Sequence, residues 1–239
     1  MTETRWLLWQ RMDPSVRGAA ALRTEITSTA VRLADSEGLQ AVTVDRIAAE
    51  LHLAAKDLDG CLERETDLTD LLLDAAFAEL ELPTEPSGDW RADLGLHARR
   101  LWAVLKAHPW LAVVASTRPL LSPNALRQLE FSFAALDGLG LDPQRLALYA
   151  GMVTGLGYGP TLARLQERES WNRLYQREPA DQLHEPISGF LQDIVAAGDH
   201  PRVGGFLAAG APHAGDDEAF EITLECLLDG LAVRLGQGR

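Results

Sequence analysis

Two histidines, His97 and His108, lie on the apolar side of one predicted helix, and two arginines, Arg100 and Arg118, stand near them in the chain. An imidazole exchanges a proton near neutral pH and a guanidinium holds an anion. This set therefore offers acid–base chemistry on a bound organic molecule, or simply hydrogen bonds to one. Other chemistry is sparse. There is no Ser/His/Asp or Cys/His arrangement, no glycine-rich phosphate loop, and the six histidines show none of the close pairings that metals favour. Cys61 and Cys226 form no CxxC and read as ordinary apolar residues. No metal, cofactor or catalytic residue is assigned. A histidine on an apolar stripe is also commonly a hydrogen-bonded core residue, and His108, ahead of Pro109 at a helix end, equally fits a capping or packing role.

The elements that must position these groups are all helical. With 239 residues, 46% of them hydrophobic, the chain can bury a sizeable core. Its longest apolar runs fall far short of the roughly 20 residues that span a bilayer. Arg5, Arg11 and Arg17 surround a Trp-Leu-Leu-Trp patch without the apolar core or cleavage site of a signal peptide. The expected location is the cytoplasm, with no membrane partner. A formal charge of −13 opposes indiscriminate nucleic-acid binding, since phosphate affinity comes from Lys and Arg displacing counterions. Residues 1–70 are acidic too, with eight basic and thirteen acidic side chains.

Residues 1–21 read as an arm with one short helix. Apolar residues at 22, 26, 30, 33 and 34 then form a helical stripe that stops at Gly38. Thr43 caps a short second helix containing Val44, Ile47, Ala48 and Leu51, and a turn at His52-Leu53 leads into a third over 55–62. A fourth helix opens near Thr66 and ends before Pro83. Residues 83–88 form a linker, and Asp89 caps a helix over 90–108, on which Trp90, Leu94, His97, Leu101, Val104 and His108 share a stripe. Ser122-Pro123 and Asp142-Pro143 open helices over 123–137 and 143–168. Residues 166–185 read as a polar connection. Helices over 186–197 and 217–235 follow, with a short apolar one near 203–208 between them. No strand pattern is present.

Short helices joined by a tight turn are the plan of a helix-turn-helix DNA reader. The run Ala34, Gly38-Leu39, Val42-Thr43-Val44, Ile47-Ala48, Leu51, Leu53, Leu58, Leu62 and Leu68-Leu71-Leu72 resembles the N-terminal signature of the TetR family of transcriptional regulators. His108-Pro109-Trp110, Thr117-Arg118-Pro119, Pro123-Asn124-Ala125-Leu126 and Phe220 to Leu231 resemble the C-terminal domain of that family's tetracycline-repressor branch. The likeness covers nearly the whole chain. It implies an all-α fold with a three-helix reading head over 22–82 and a ligand-binding, dimerising body over 89–239.

The resemblance also implies a homodimer that holds operator DNA until a small organic ligand enters the body. Thr43, Arg46 and Lys56 would face DNA. Thr43 could equally be a helix cap, and the two cations plain surface charges. Asp45, Asp59 and Glu65 stand where the family commonly places aromatic or basic contacts, Asp57 lies beside them, and carboxylates there repel phosphate. The cavity would be lined by His97, Arg100, Leu101, Val104, His108, Arg118, Phe131, Tyr149 and Tyr158. Val114 stands where the tetracycline branch has its magnesium-binding histidine, so a magnesium chelate is not expected. Met152, Leu156, Leu224 and Leu228 would lie in the dimer interface, or in the intramolecular core. The competing reading is a protein of this fold that has lost DNA binding and works through its cavity as a carrier, an anti-regulator or a catalyst on a natural product.

Overall fold

A computed structural model of the chain describes residues 8–11, 17–175, 180–209 and 215–236, and every regular element among them is helical. Contacts divide the chain into two compact units, Met1–Leu162 with Cys226–Arg239, and Ala163–Glu225.

In the first unit, α1 (Leu8–Arg11) and α2 (Arg17–Glu37) lead to Gly38, whose φ of 91° suits a residue without Cβ, and then to a 3-10 turn at Leu39–Ala41. Leu8 is buried and Trp9 packs against the core, so part of the arm is docked. The Thr43 side chain accepts from the Arg46 backbone N–H at 3.2 Å and starts α3 (Val44–Glu50). The third helix is shorter than its pattern: a 3-10 helix spans only Ala55–Leu58, and turns run through Asp59 and Gly60, both poor helix formers. α4 (Glu65–Ala78) completes the head, whose core holds Ile26, Leu33, Ile47, Leu58, Leu68 and Leu72. Burying each of these large apolar side chains contributes roughly 1.5–3 kcal/mol.

The linker at 83–88 is tied down rather than loose. The Asp93 carboxylate accepts from the Ser87 backbone N–H at 2.9 and 3.0 Å, while Asp89 caps α5 (Trp90–Ala107) through the N–H groups of Arg91 and Ala92. α6 (Trp110–Thr117) was not foreseen; its two turns are apolar all round, with Trp110, Leu111, Ala112 and Val114 buried, so no amphipathic period announces it. α7 (Pro123–Ala135) starts at the Ser122 cap with proline in its first turn. α8 runs from Pro143 to Tyr175, well past its predicted end, with Pro160 inside it. At Gly157 a Cβ would stand 2.7 Å from Leu105 Cδ1, so the glycine is what lets α8 lie against α5.

The second unit takes in the end of α8, α9 (Ala180–Ala197), α10 (Pro201–Ala208) and the start of α11 (Asp216–Arg234). Most of 166–185, read as a connection because it is polar, is therefore helix. Gly204 is buried where α10 meets α9, and Arg164 pairs with Asp216. No described helix is long and apolar enough to cross a membrane.

Candidate reading face and ligand site

On the face expected to meet DNA, Thr43 and Arg46 serve local structure. Thr43 caps α3. Arg46 reaches Glu37 at 2.9 Å and Glu50 at 3.0 Å, while Glu50 also accepts from Arg32 at 2.7 Å. Hydrogen bonds from Arg32 and then Arg46 hold the Glu50 carboxyl below its usual range. Asp57 is a cap as well, its carboxylate accepting from the Ala54 N–H at 2.9 Å. Asp45 lies in the first turn of α3, where the helix dipole favours an anion. Lys56 and Asp59 are exposed. The Glu65 side chain lies outside the described residues.

Where the head meets the first helices of the body, His108 ends α5 and is held from both sides. Its Nδ1 lies 2.8 Å from Asp35 on α2 and its Nε2 3.0 Å from Glu79 just after α4, and Trp110 Nε1 donates to the same Asp35 oxygen at 2.6 Å. Burial works to lower the imidazole pKa, but the two carboxylates together outweigh it and hold the ring above its ordinary value. Arg118 donates to Asp70 and to the Thr66 carbonyl, and Asn124 makes three hydrogen bonds to Asp74, so α4 is fastened at several points. Arg100 turns to Glu81 at 3.7 Å with its side chain about half exposed. His108, Arg118 and Arg100 are thus engaged away from His97.

His97 itself is fully buried. Its Nδ1 is 2.7 Å from Ser132 Oγ on α7, and Phe131 stands edge-on to the ring at 6.4 Å. Its Nε2 has no partner; neither have the buried Gln128 Oε1 and the Tyr158 hydroxyl. Burial drives the His97 pKa down to about 4, only partly opposed by Gln128, so the ring is neutral at pH 7. Burial also raises the Tyr158 pKa. Unmet buried polar atoms are expensive in an apolar interior. Leu101 and Val104 are buried on the same helix. Gln128 and Ser132 were missed by the sequence reading, although two polar residues on the buried stripe of Ala125, Phe131 and Ala135 were a visible signal.

Tyr149 lies elsewhere, in a groove of about 620 Å³ between α8 and α11 that Leu148, Met152, Cys226, Leu227 and Gly230 also line. Met152 is 43% exposed and Leu156 partly buried, whereas Leu224 and Leu228 are buried within the protomer. Leu228 faces inward toward α5, its Cδ1 3.7 Å from where a Gly95 Cβ would stand. On α11 the outward positions near it are Cys226 and Gly230. Among the described residues no group of three or more His, Cys, Asp or Glu side chains is placed to hold a metal ion.

Residues 82–235 match the family model described as tetracyclin repressor-like, C-terminal domain. An HTH-type transcriptional regulator of Saccharopolyspora erythraea is 32% identical over 200 residues, covering 83% of each chain. The HTH-type transcriptional repressor DrrR1 of Streptomyces coeruleorubidus is 28% identical over 242 residues, covering 100% of this chain and 88% of its own. Among solved structures, the TetR family protein ActR of Streptomyces coelicolor in complex with actinorhodin superposes with a TM-score of 0.70 at 26% identity, covering 91% of this chain and 98% of that one. On this extent of agreement, the chain belongs to the TetR family of transcriptional regulators.

Proposed function

We propose that this regulator is a cytoplasmic, ligand-responsive repressor that holds operator DNA as a homodimer and lets go when a small organic molecule enters the body around His97. The observation that carries the ligand site is the set of three buried polar atoms without partners, on α5, α7 and α8. The proposed lining is His97, Leu101, Val104, Phe131 and Tyr158, joined by Gln128 and Ser132. Arg100, His108, Arg118 and Tyr149 drop out of it because their surroundings lie elsewhere. That ActR is known in complex with actinorhodin supports an organic ligand.

Release follows from the fastenings. A guest between α5 and α7 displaces helices whose ends are tied to Asp35, Glu79 and Asp74 of the head, so the head moves with them. Dimerisation is assigned to the outward faces of α8 and α11, through Met152, Leu148 and the exposed glycines, in place of Leu224 and Leu228. DNA contact falls to Lys56, with Thr43 and Arg46 contributing once Arg46 exchanges a carboxylate for a phosphate.

The test is fluorescence anisotropy of the full chain against the DNA upstream of its own gene and a scrambled duplex, over a salt series. Tight, salt-sensitive preference for the upstream duplex is expected. If the two duplexes bind alike, and selection from random sequences also enriches none, the repressor reading is wrong and the fold acts through its body alone.

A further inference from the structure

We infer that His108 is a positioning residue for operator binding: its imidazolium holds the ends of α2 and α4 to the end of α5 at once, and loss of one proton frees the α4 end and loosens the reading head. This deepens the repressor reading and rests on it. The charge on the ring follows from its partners. An ionised carboxylate only accepts hydrogen bonds, and each ring nitrogen stands beside one, Nδ1 at 2.8 Å from Asp35 and Nε2 at 3.0 Å from Glu79. Both nitrogens must then carry hydrogen, which only the imidazolium provides. The indole N–H of Trp110 also donates to that Asp35 oxygen. The cations on the neighbouring elements are engaged elsewhere: Arg32, one turn before Asp35, with Glu50; Arg100 with Glu81; and Lys106 over the Trp102 ring.

A neutral ring has one N–H and can serve one carboxylate. Asp35 keeps the Trp110 donor, and its side chain is 33% exposed against 50% for Glu79, so water replaces the ring more readily at Glu79. The proton therefore leaves from the Nε2 side, and the α4 end parts from α5 while α2 stays attached. Farther back, α4 remains tied through Arg118–Asp70 and Asn124–Asp74, pairs without a group that titrates near neutral pH. Pinned there and free at its end, α4 can pivot. Two half-sites on a duplex fix the spacing of two heads, so a head that rocks must be ordered on binding, at a cost in affinity.

The experiment uses the full chain with 15N-labelled histidine. NMR follows the two ring nitrogens of His108 from about pH 6 to about pH 9, and anisotropy follows binding to the DNA upstream of the gene over the same range. The ring is expected to titrate above the ordinary imidazole value and to appear as the Nδ1–H form once neutral. Operator affinity should fall about fivefold across that midpoint. Glu79→Gln separates this from plain packing, because an amide accepts from a charged ring and donates to a neutral one. In that variant the midpoint drops and the fall in affinity disappears, with the fold verified by circular dichroism. His52, exposed in the reading turn with φ of 57°, is another imidazole of the head, and His52→Asn, which tolerates that backbone, should leave the midpoint of the affinity profile in place. An Nε2–H form above the midpoint, operator affinity that is flat across it in the parent protein, or an equal fall in Glu79→Gln overturns the inference while the repressor reading stands. Failure to bind any duplex at any pH, with the NMR titration as expected, overturns the repressor reading and the role in operator binding with it.

Discussion

His97 and His108 sit on the same face of α5, about three turns apart, and their surroundings are opposite. His97 is sealed in the interior beside the Ser132 hydroxyl and the Gln128 side chain, and burial, only partly opposed by Gln128, depresses its pKa to about 4. His108 lies between two carboxylates, and its pKa is raised. The same residue type on one apolar stripe thus yields a neutral buried ring in one place and a carboxylate-held fastening in the other. Sequence spacing cannot distinguish them, because what differs is contributed by Asp35, Glu79 and Ser132, which lie on other helices.

The largest expected effect comes from breaking the fastening. His108→Leu leaves Asp35 and Glu79 facing each other without a cation and should lower unfolding stability by about 2 kcal/mol at pH 6, measured in urea. The figure is kept below that of a fully buried pair because the Asp35 and Glu79 side chains are 33% and 50% exposed. Since the folded pKa lies above the unfolded one, this contribution is full below about pH 6.5 and fades as pH rises through the raised value. The parent-to-variant gap should therefore shrink at alkaline pH, and a gap independent of pH would mean that packing alone is lost.

His97 should show the opposite dependence. Its folded pKa is depressed, so the parent protein loses stability as pH falls from about 6.5 toward about 4, where the unfolded chain takes up a proton that the folded chain refuses. His97→Leu removes that loss and an unpartnered ring nitrogen together. It should be neutral or stabilising by about 1 kcal/mol at pH 7, and more so at pH 5. Destabilisation at both pH values would show that the imidazole is already satisfied, and the contrast between the two histidines would collapse.

Smaller effects belong to the reading face. Lys56→Ala should weaken operator binding and lower the salt slope by about 0.9, the share of one phosphate contact. Asp59→Lys should steepen that slope by about the same amount if residue 59 lies near the backbone of the duplex. No change in either slope would place DNA on another face of the head.

How much of this was legible follows the same division. Features written locally were readable: the Asp89 cap, the Ser122-Pro123 and Asp142-Pro143 starts, and the stripe of α5. The α6 helix escaped because Trp110, Leu111, Ala112 and Val114 are buried together with no polar face to set a period. The end of α8 escaped because polar residues on an exposed helix look like a loop. The His108 clamp and the Arg118–Asp70 pair join residues 73 and 48 positions apart, which no local pattern encodes. Leu224 and Leu228, expected in the dimer interface or the intramolecular core, lie on the inner side of α11, a choice that only packing decides.

Arg46 has one more consequence. Its guanidinium already rests between Glu37 and Glu50, so a phosphate recruiting it must outcompete two carboxylates that are in place beforehand. The net gain from that contact is small wherever nothing else on the duplex helps. A chance encounter along the genome would then dissociate quickly, while a site that also satisfies the other proposed contacts of the head would be retained. On the proposed DNA contact, the acidic surroundings would act as a threshold against the many wrong sequences, at a cost in affinity for the right one.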